Sequence, residues 1–148
     1  MHTLHALKQA GLQGTASQLT ILEYLQRVGH GHFSAEQIHR GISAAGEHQN
    51  LSTTYRVLNQ LQAAGLVASV ALGKHHSLYE LNTGKMHDHL VCVMCGRIEE
   101  FSDPVIDRRR NAIAKKFGLR FLGRALALRG ICADCDKRTQ RGKSRERG

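Results

Sequence analysis

The chain has 148 residues, enough for one ordinary domain or two small ones, and 41% of them are hydrophobic. Its formal net charge of +9 favours a polyanionic partner such as DNA or RNA. No apolar run approaches the roughly 18 residues of a membrane span, and the N-terminus lacks the apolar stretch of a signal peptide. We therefore expect a cytoplasmic protein with no membrane contact.

Helical periodicity dominates the first half of the chain. Apolar residues at helical spacing predict a helix that Gly29 ends, and Ser34 is placed to cap a second. A third helix is predicted in NLSTTYRVLNQLQAAGL, with Gly65 at its C-terminal cap. Two β-like runs, LVASVAL and SLYEL, then flank GKHH as a hairpin. Three helices followed by a hairpin are typical of a winged helix-turn-helix.

The pattern changes near residue 83. HLVCVMC and RIEEF predict two strands, Pro104 suits the first turn of a helix, and LRFLGRALALRG predicts a last strand. We thus predict an α+β protein with a winged helix in residues 1–82 and a small α/β domain in residues 83–135. The charged residues 136–148 are predicted to form a disordered, basic tail. A domain as small as the second commonly needs a metal or a partner for stability.

The cysteines form two Cys-x-x-Cys pairs. Cys92 with Cys95 and Cys132 with Cys135 are separated by 36 residues, which an inserted helix and strand would fill. Each pair can bind one metal from a tight turn, and together they provide the four thiolates of a structural zinc site. A redox dithiol and unpaired structural thiols are the alternative interpretations of these pairs.

A second cluster of metal-ligating residue types has nitrogen and oxygen donors. His87 and His89 alternate along a predicted strand, so they point to the same side and can bind one divalent ion. Further candidates are His32, Glu80 and either of Glu99 and Glu100. A site that joins them would include ligands from both halves of the chain. Because such donors also accept ferrous iron or manganese and release them more readily, the cluster suggests a metal sensor.

The third predicted helix is the candidate for DNA recognition. In a winged helix this element enters the major groove, and basic wing residues contact phosphates. Its first turns carry Thr53, Tyr55 and Arg56, and the predicted wing tip carries Lys74. The alternative is that Tyr55 is a packing residue and Arg56 a solvated charge.

The order and spacing of several motifs resemble the ferric uptake regulator (Fur) family. The resemblance extends from Ala6 to Cys135, and its most specific elements are HFSAEQI, TTYRVLNQLQAAGLV, YEL, HDHLVCVMCG and the last Cys-x-x-Cys. It implies a homodimeric, metal-activated repressor that binds double-stranded operator DNA, with a winged helix and an α/β dimerisation domain.

The resemblance also implies roles for individual residues. The four cysteines match a structural zinc site, and Tyr55 and Arg56 match positions that approach DNA. The positions that match the regulatory site at the hinge between domains are His32, Glu80, His87, His89 and Glu100.

Two departures from the family pattern carry consequences. Many members have a third, histidine-rich metal site, whose positions here are Met86, Asp88, Asp107 and Arg124. We expect that this site binds no metal and that Asp88 pairs with Arg124. The family's Pro-Arg pair is replaced within Ala16-Ser17-Gln18, which removes one expected phosphate contact.

The leading hypothesis is a repressor that senses ferrous iron and controls metal-homeostasis genes. Zinc-, manganese- and peroxide-sensing members of the same family are alternatives, as is a zinc-stabilised RNA-binding module. A zinc-containing thiol oxidoreductase is an alternative from a different class. The sequence has no G-x-S-x-G, P-loop or HExxH motif, so we predict neither an enzyme nor a small-molecule substrate.

Overall fold

A computed structural model of the chain describes residues 2–71, 76–84, 87–120 and 126–145. These residues form helices and two small sheets, which confirms the predicted α+β class. The chain divides into two compact units, Met1–Gly84 and Lys85–Gly148, so the boundary lies two residues after the predicted one. Among the described residues, no helix has the length and apolar character that crossing a membrane requires.

The first unit packs four helices against a three-stranded antiparallel sheet. The helices are α1 (His2–Gln9), α2 (Ala16–Val28), α3 (Ala35–Ala44) and α4 (Leu51–Ala63). The strands are β1 (Phe33–Ser34), β2 (Val67–Ala71) and β3 (Ser77–Leu81), in the order β1-β3-β2. The three predicted helices and the hairpin strands are confirmed. Helix α1 and strand β1 were not predicted, because both are too short to show a periodic pattern.

Side-chain caps determine where the helices of this unit begin. Ser34 Oγ accepts the N–H of Gln37, and the Gln37 side chain accepts the N–H of Ser34, which forms a capping box. Thr15 and Gln18 form the same arrangement before α2, and Asn50 caps α4. The cap predicted at Ser34 is confirmed.

An aliphatic core holds the four helices together. Its fully buried members come from every helix and include Leu7, Ile21, Leu25, Ile38, Ile42, Leu58 and Leu61. Helices α2 and α3 approach closely because Gly41 lies against Tyr24, where an added Cβ would be 2.2 Å from the phenol oxygen. This core fixes the orientation of α4.

The second unit is a smaller α/β structure. It contains β4 (Asp88–Cys92), β5 (Ile98–Phe101), α5 (Pro104–Lys116), β6 (Ala127–Gly130) and α6 (Ala133–Arg145). Strand β4 is central, with β5 antiparallel on one side and β6 parallel on the other. The predicted last strand is confirmed only for β6, and residues 121–125 lie outside the described residues.

The prediction of a disordered tail over residues 136–148 is wrong for residues 136–145, which continue helix α6. Asp134 and Asp136 lie in its first turn, where the positive end of the helix dipole stabilises them. Gln140 also donates to Asp136 one turn away, at 2.9 Å. Residues 146–148 lie outside the described residues.

Little of the described part of the second unit is fully buried. The buried apolar residues among those described are Val91, Cys92, Ala114 and Cys135. Leu90 and Leu128 are neighbours on the sheet, yet they stay 45% and 44% exposed, and Ile131 is 53% exposed. An apolar sheet face of this kind is typical of a surface that a partner covers.

Candidate metal centres and nucleic-acid interface

The fold brings the four cysteines together. Cys92 ends β4 and Cys95 follows in the adjoining turn, whereas Cys132 follows β6 and Cys135 lies in the first turn of α6. The parallel pairing of β4 with β6 places the two Cys-x-x-Cys segments side by side, with Cys92 opposite Gly130. All four sulfurs lie within 4.8 Å of one another.

This geometry fits a zinc ion. Four sulfurs at about 2.3 Å from zinc in a tetrahedron are roughly 3.8 Å from one another. The sulfurs of Cys95 and Cys132 are 3.9 Å apart, and none of the four cysteines forms a disulfide. A donor set of four sulfurs, enclosed by a strand end, a turn and a helix, is typical of a structural zinc site.

Two of the four thiols differ in their hydrogen bonds and in their pKa. The backbone N–H of Cys132 donates to the sulfur of Cys92 at 3.4 Å and, with other N–H groups of the turn, lowers the pKa of that thiol to about 6. Arg138 donates to the sulfur of Cys135 at 2.9 Å and lowers its pKa. Burial and the other three sulfurs outweigh this effect and raise the Cys135 pKa to about 11. A divalent cation at the centre of the cluster would allow all four thiols to ionise.

The first unit contributes one histidine–carboxylate pair. His32 directly precedes β1, and Glu80 lies on β3, which pairs with β1. His32 Nε2 is 3.3 Å from Glu80 Oε2, and the Glu80 side chain is only 6% exposed. A buried carboxylate beside an imidazole is a suitable pair of ligands for a divalent ion.

The second unit contributes two histidines and one carboxylate. His89 is buried on β4 directly opposite Glu100 of β5, and His87 precedes β4. The two imidazole rings are 4.8 Å apart, and His87 Nε2 is 3.6 Å from Glu100 Oε1. One ligand atom from each of these three residues lies within 4.8 Å of the others.

The structure distinguishes the two neighbouring glutamates. Glu99 faces Arg97, whose guanidinium donates to its carboxylate at 2.7 Å. Glu100 points to the other side of β5, towards His87. Of the two candidates, only Glu100 is therefore placed with the histidines.

Asp88 has partners other than the predicted Arg124. Its carboxylate is almost fully buried and accepts a hydrogen bond from Arg110 Nη1 and one from the Leu126 N–H, both at 2.8 Å. Arg110 also donates to Asp107, one turn earlier on α5. The guanidinium thus lies between two carboxylates of the degenerate third site. The spacing of three residues between Asp107 and Arg110 was the only signal of this contact in the sequence.

Several predicted residues cannot be placed in the structure. Lys74, at the tip of the predicted wing, lies outside the described residues. The same is true of Met86 and Arg124 in the degenerate third site.

Helix α4 presents part of the predicted DNA-binding set. Arg56 is exposed and makes no ion pair with any residue that the structure describes, and Thr53 is half-buried near the start of the helix. Tyr55 is 37% exposed, and its hydroxyl donates to Glu36 of α3 at 2.5 Å. This bond raises the pKa of Tyr55 to about 12 and lowers that of Glu36. Tyr55 therefore joins α3 to α4 and still presents a polar edge.

Gln18 has a structural role at the position where the family pattern has Pro-Arg. Its side-chain oxygen accepts the N–H groups of Gly14 and Thr15, and its amide donates to Gln60 of α4 at 3.0 Å. It is 5% exposed, so it positions α2 against α4 rather than facing a phosphate.

Comparisons with known proteins identify relatives of this chain. The model of the ferric uptake regulator family matches residues 9–129. The ferric uptake regulation protein of Legionella pneumophila is 42% identical over 135 residues, which cover 91% of this chain and 99% of that protein.

Two solved structures are similar in both fold and sequence. The ferric uptake regulator of Vibrio cholerae superposes with a TM-score of 0.70 at 44% identity, covering 86% of this chain and 98% of that one. The Pseudomonas aeruginosa regulator gives a TM-score of 0.76 at 35% identity, covering 90% and 99%. The chain therefore belongs to the ferric uptake regulator family.

Proposed function

We propose that this metal-responsive regulator of transcription is a cytoplasmic homodimer that represses metal-homeostasis genes when ferrous iron is bound. The observation that carries the proposal is that each unit brings nitrogen and oxygen ligands of its own close together. His32 and Glu80 belong to the unit with α4, and His87, His89 and Glu100 belong to the unit with the cysteines. One ion bound by all five would link metal occupancy to the arrangement of the DNA-binding unit.

The donor set accepts ferrous iron, and the names of the relatives favour it. The five ligands contain no thiolate, and imidazole with carboxylate suits iron and manganese. The Legionella relative is named for ferric uptake, and the solved Pseudomonas regulator contains manganese. Zinc at the four cysteines would be structural, because that set leaves no open position for exchange.

Operator recognition is assigned to α4. The Vibrio regulator has DNA-binding domains, and in the present chain Arg56 is exposed on the first turns of α4. Thr53, Tyr55 and Lys74 complete the proposed contact set. The apolar face at Leu90, Leu128 and Ile131 is the proposed dimer contact. Two copies of α4 in a dimer would read two half-sites of a pseudo-palindrome.

A DNA-binding titration tests the proposal. Duplexes are first selected from a random pool by the zinc-loaded protein with manganese present, and binding is then measured anaerobically at controlled free iron, manganese and zinc. We expect iron to tighten binding at least tenfold, and His89→Ala to abolish this response. His5→Ala is the control, because His5 is exposed on α1. Selective binding that no metal enhances would refute the proposal.

The oxidoreductase alternative is tested on the same preparation. The observation in its favour is that the four thiols are free and lie within 4.8 Å of one another. A regulator with structural zinc keeps four reduced cysteines when it is equilibrated with glutathione disulfide. Reversible disulfide formation in the native, zinc-loaded protein would instead support the enzyme.

A further inference from the structure

The positive charge of this protein is distributed unequally between its two units. Residues 1–84 contain five Lys or Arg and four Glu, whereas residues 85–148 contain 16 Lys or Arg and eight Asp or Glu. With histidine neutral, the net charges are +1 and +8. The unit that carries α4 therefore contributes almost none of the net charge that attracts a polyanion.

Helix α5 presents an exposed basic face. Arg108 and Lys115 are seven residues apart, as are Arg109 and Lys116, so each pair lies on nearly the same line along the helix, about 10 Å apart. All four side chains are exposed and together cover an arc of about 120°. Ala114, which is buried, lies on the opposite side. We call these four residues the α5 basic face.

The α5 basic face is not neutralised within the part of the chain that the structure describes. Its four residues make no ion pair there, and the two acids of this segment have other partners. Asp107 accepts from Arg110, and Asp103 caps the helix. A two-fold contact between copies through this face would bring like charges together, whereas the apolar face at Leu90 and Leu128 has no such penalty.

We propose that the α5 basic face binds the phosphate backbone of duplex DNA and supplies most of the sequence-independent affinity of this protein. This inference rests on the proposed function, because it concerns a second contact with the same kind of partner. Sequence-independent binding comes almost entirely from counterion release, which scales with the number of phosphates neutralised. The contact set proposed for the first unit includes two cations, Arg56 and Lys74, whereas the α5 basic face provides four cations on one helix.

The test uses the 148-residue chain, loaded with zinc and manganese, and a 40-base-pair duplex of mixed sequence. The variant replaces Arg108, Arg109, Lys115 and Lys116 by Gln, and Kd is measured between 50 and 300 mM KCl. Each lost phosphate contact reduces the slope of log Kd against log salt by about 0.9, so we expect a decrease of roughly two to 3.6 for each protomer that contacts the DNA. The two matched pairs, R108Q/R109Q and K115Q/K116Q, should each give about half of the effect.

Lys137→Gln with Arg141→Gln is the control, since both residues are exposed on α6 of the same unit. If only the net charge of the protein mattered, each charge removed would reduce the slope by the same amount on α5 and on α6. An unchanged slope, or an equal loss per charge in the control, would overturn the inference. Failure of the proposed function is a separate result. In that case, metal would not enhance selective DNA binding by the wild-type protein. If the fourfold variant fails to fold, the two matched pairs decide the outcome.

Discussion

Replacing Arg110 by Ala tests a nearly buried ion pair of the second unit. The side chains of Asp88 and Arg110 are 4% and 19% exposed, so the substitution leaves a carboxylate in a nearly dry site. Removing one partner of a buried pair typically costs about 3–5 kcal/mol. Asp88 keeps its bond from the Leu126 N–H and Arg110 is partly solvated, so we expect a loss of about 2–3 kcal/mol.

Urea denaturation of the zinc-loaded protein measures this loss in the transition of the second unit. Arg109→Ala is the matched control, because it removes the adjacent, exposed arginine from the same helix. Arg110→Met combined with Asp88→Asn should recover part of the stability, since no unpaired charge then remains. If Arg110→Ala and Arg109→Ala differed by less than about 0.5 kcal/mol, the pair would have no structural importance and the reasoning would fail.

Three further predictions concern metals and titration. Elemental analysis at saturating manganese should find one zinc and one manganese per protomer, and a third bound ion would contradict the view that Arg110 fills the degenerate site. Cys92→Ser should lose the zinc and with it the cooperative unfolding of the second unit, while the first unit keeps its own transition in circular dichroism. Tyr55→Phe should return the Glu36 pKa, which the Tyr55 hydroxyl lowers, towards 4.5 in an NMR titration. The pKa of Glu36 is lower in the folded protein than in the unfolded chain. The Tyr55–Glu36 bond therefore stabilises the fold at pH values above the unfolded pKa of Glu36, and this stabilisation is lost as the pH falls through the folded pKa.

Much of the fold was predictable because local signals agreed with tertiary packing. Ser34 caps its helix as expected, and the apolar periodicity of α2 and α4 coincides with the buried core. Strand β1 has only two residues and depends on pairing with β3, a contact that no local pattern encodes. Helix α6 was missed because composition alone predicted disorder, whereas its acidic first turn and its contacts next to the cysteine cluster favour a helix.

The candidate sites were predictable at the level of residue types. Strand alternation placed His87 and His89 together, but only the register of β4 with β5 separates Glu100 from Glu99. The partners of Asp88 required tertiary structure, since Leu126 is 38 residues away. The role of Gln18 could not be predicted from the sequence either, because its contact with Gln60 joins two different helices.

Strand β4 carries ligands of both candidate metal sites within a few residues. His89 and Cys92 are three residues apart on it, about 10 Å along the strand. Since β6 pairs with β4 only when two distant segments meet, zinc at the cysteines would close a long loop during folding. For a regulator of the proposed kind, the cell's zinc supply would then set how much competent protein exists. Zinc starvation would derepress its target genes even while the regulatory metal is plentiful.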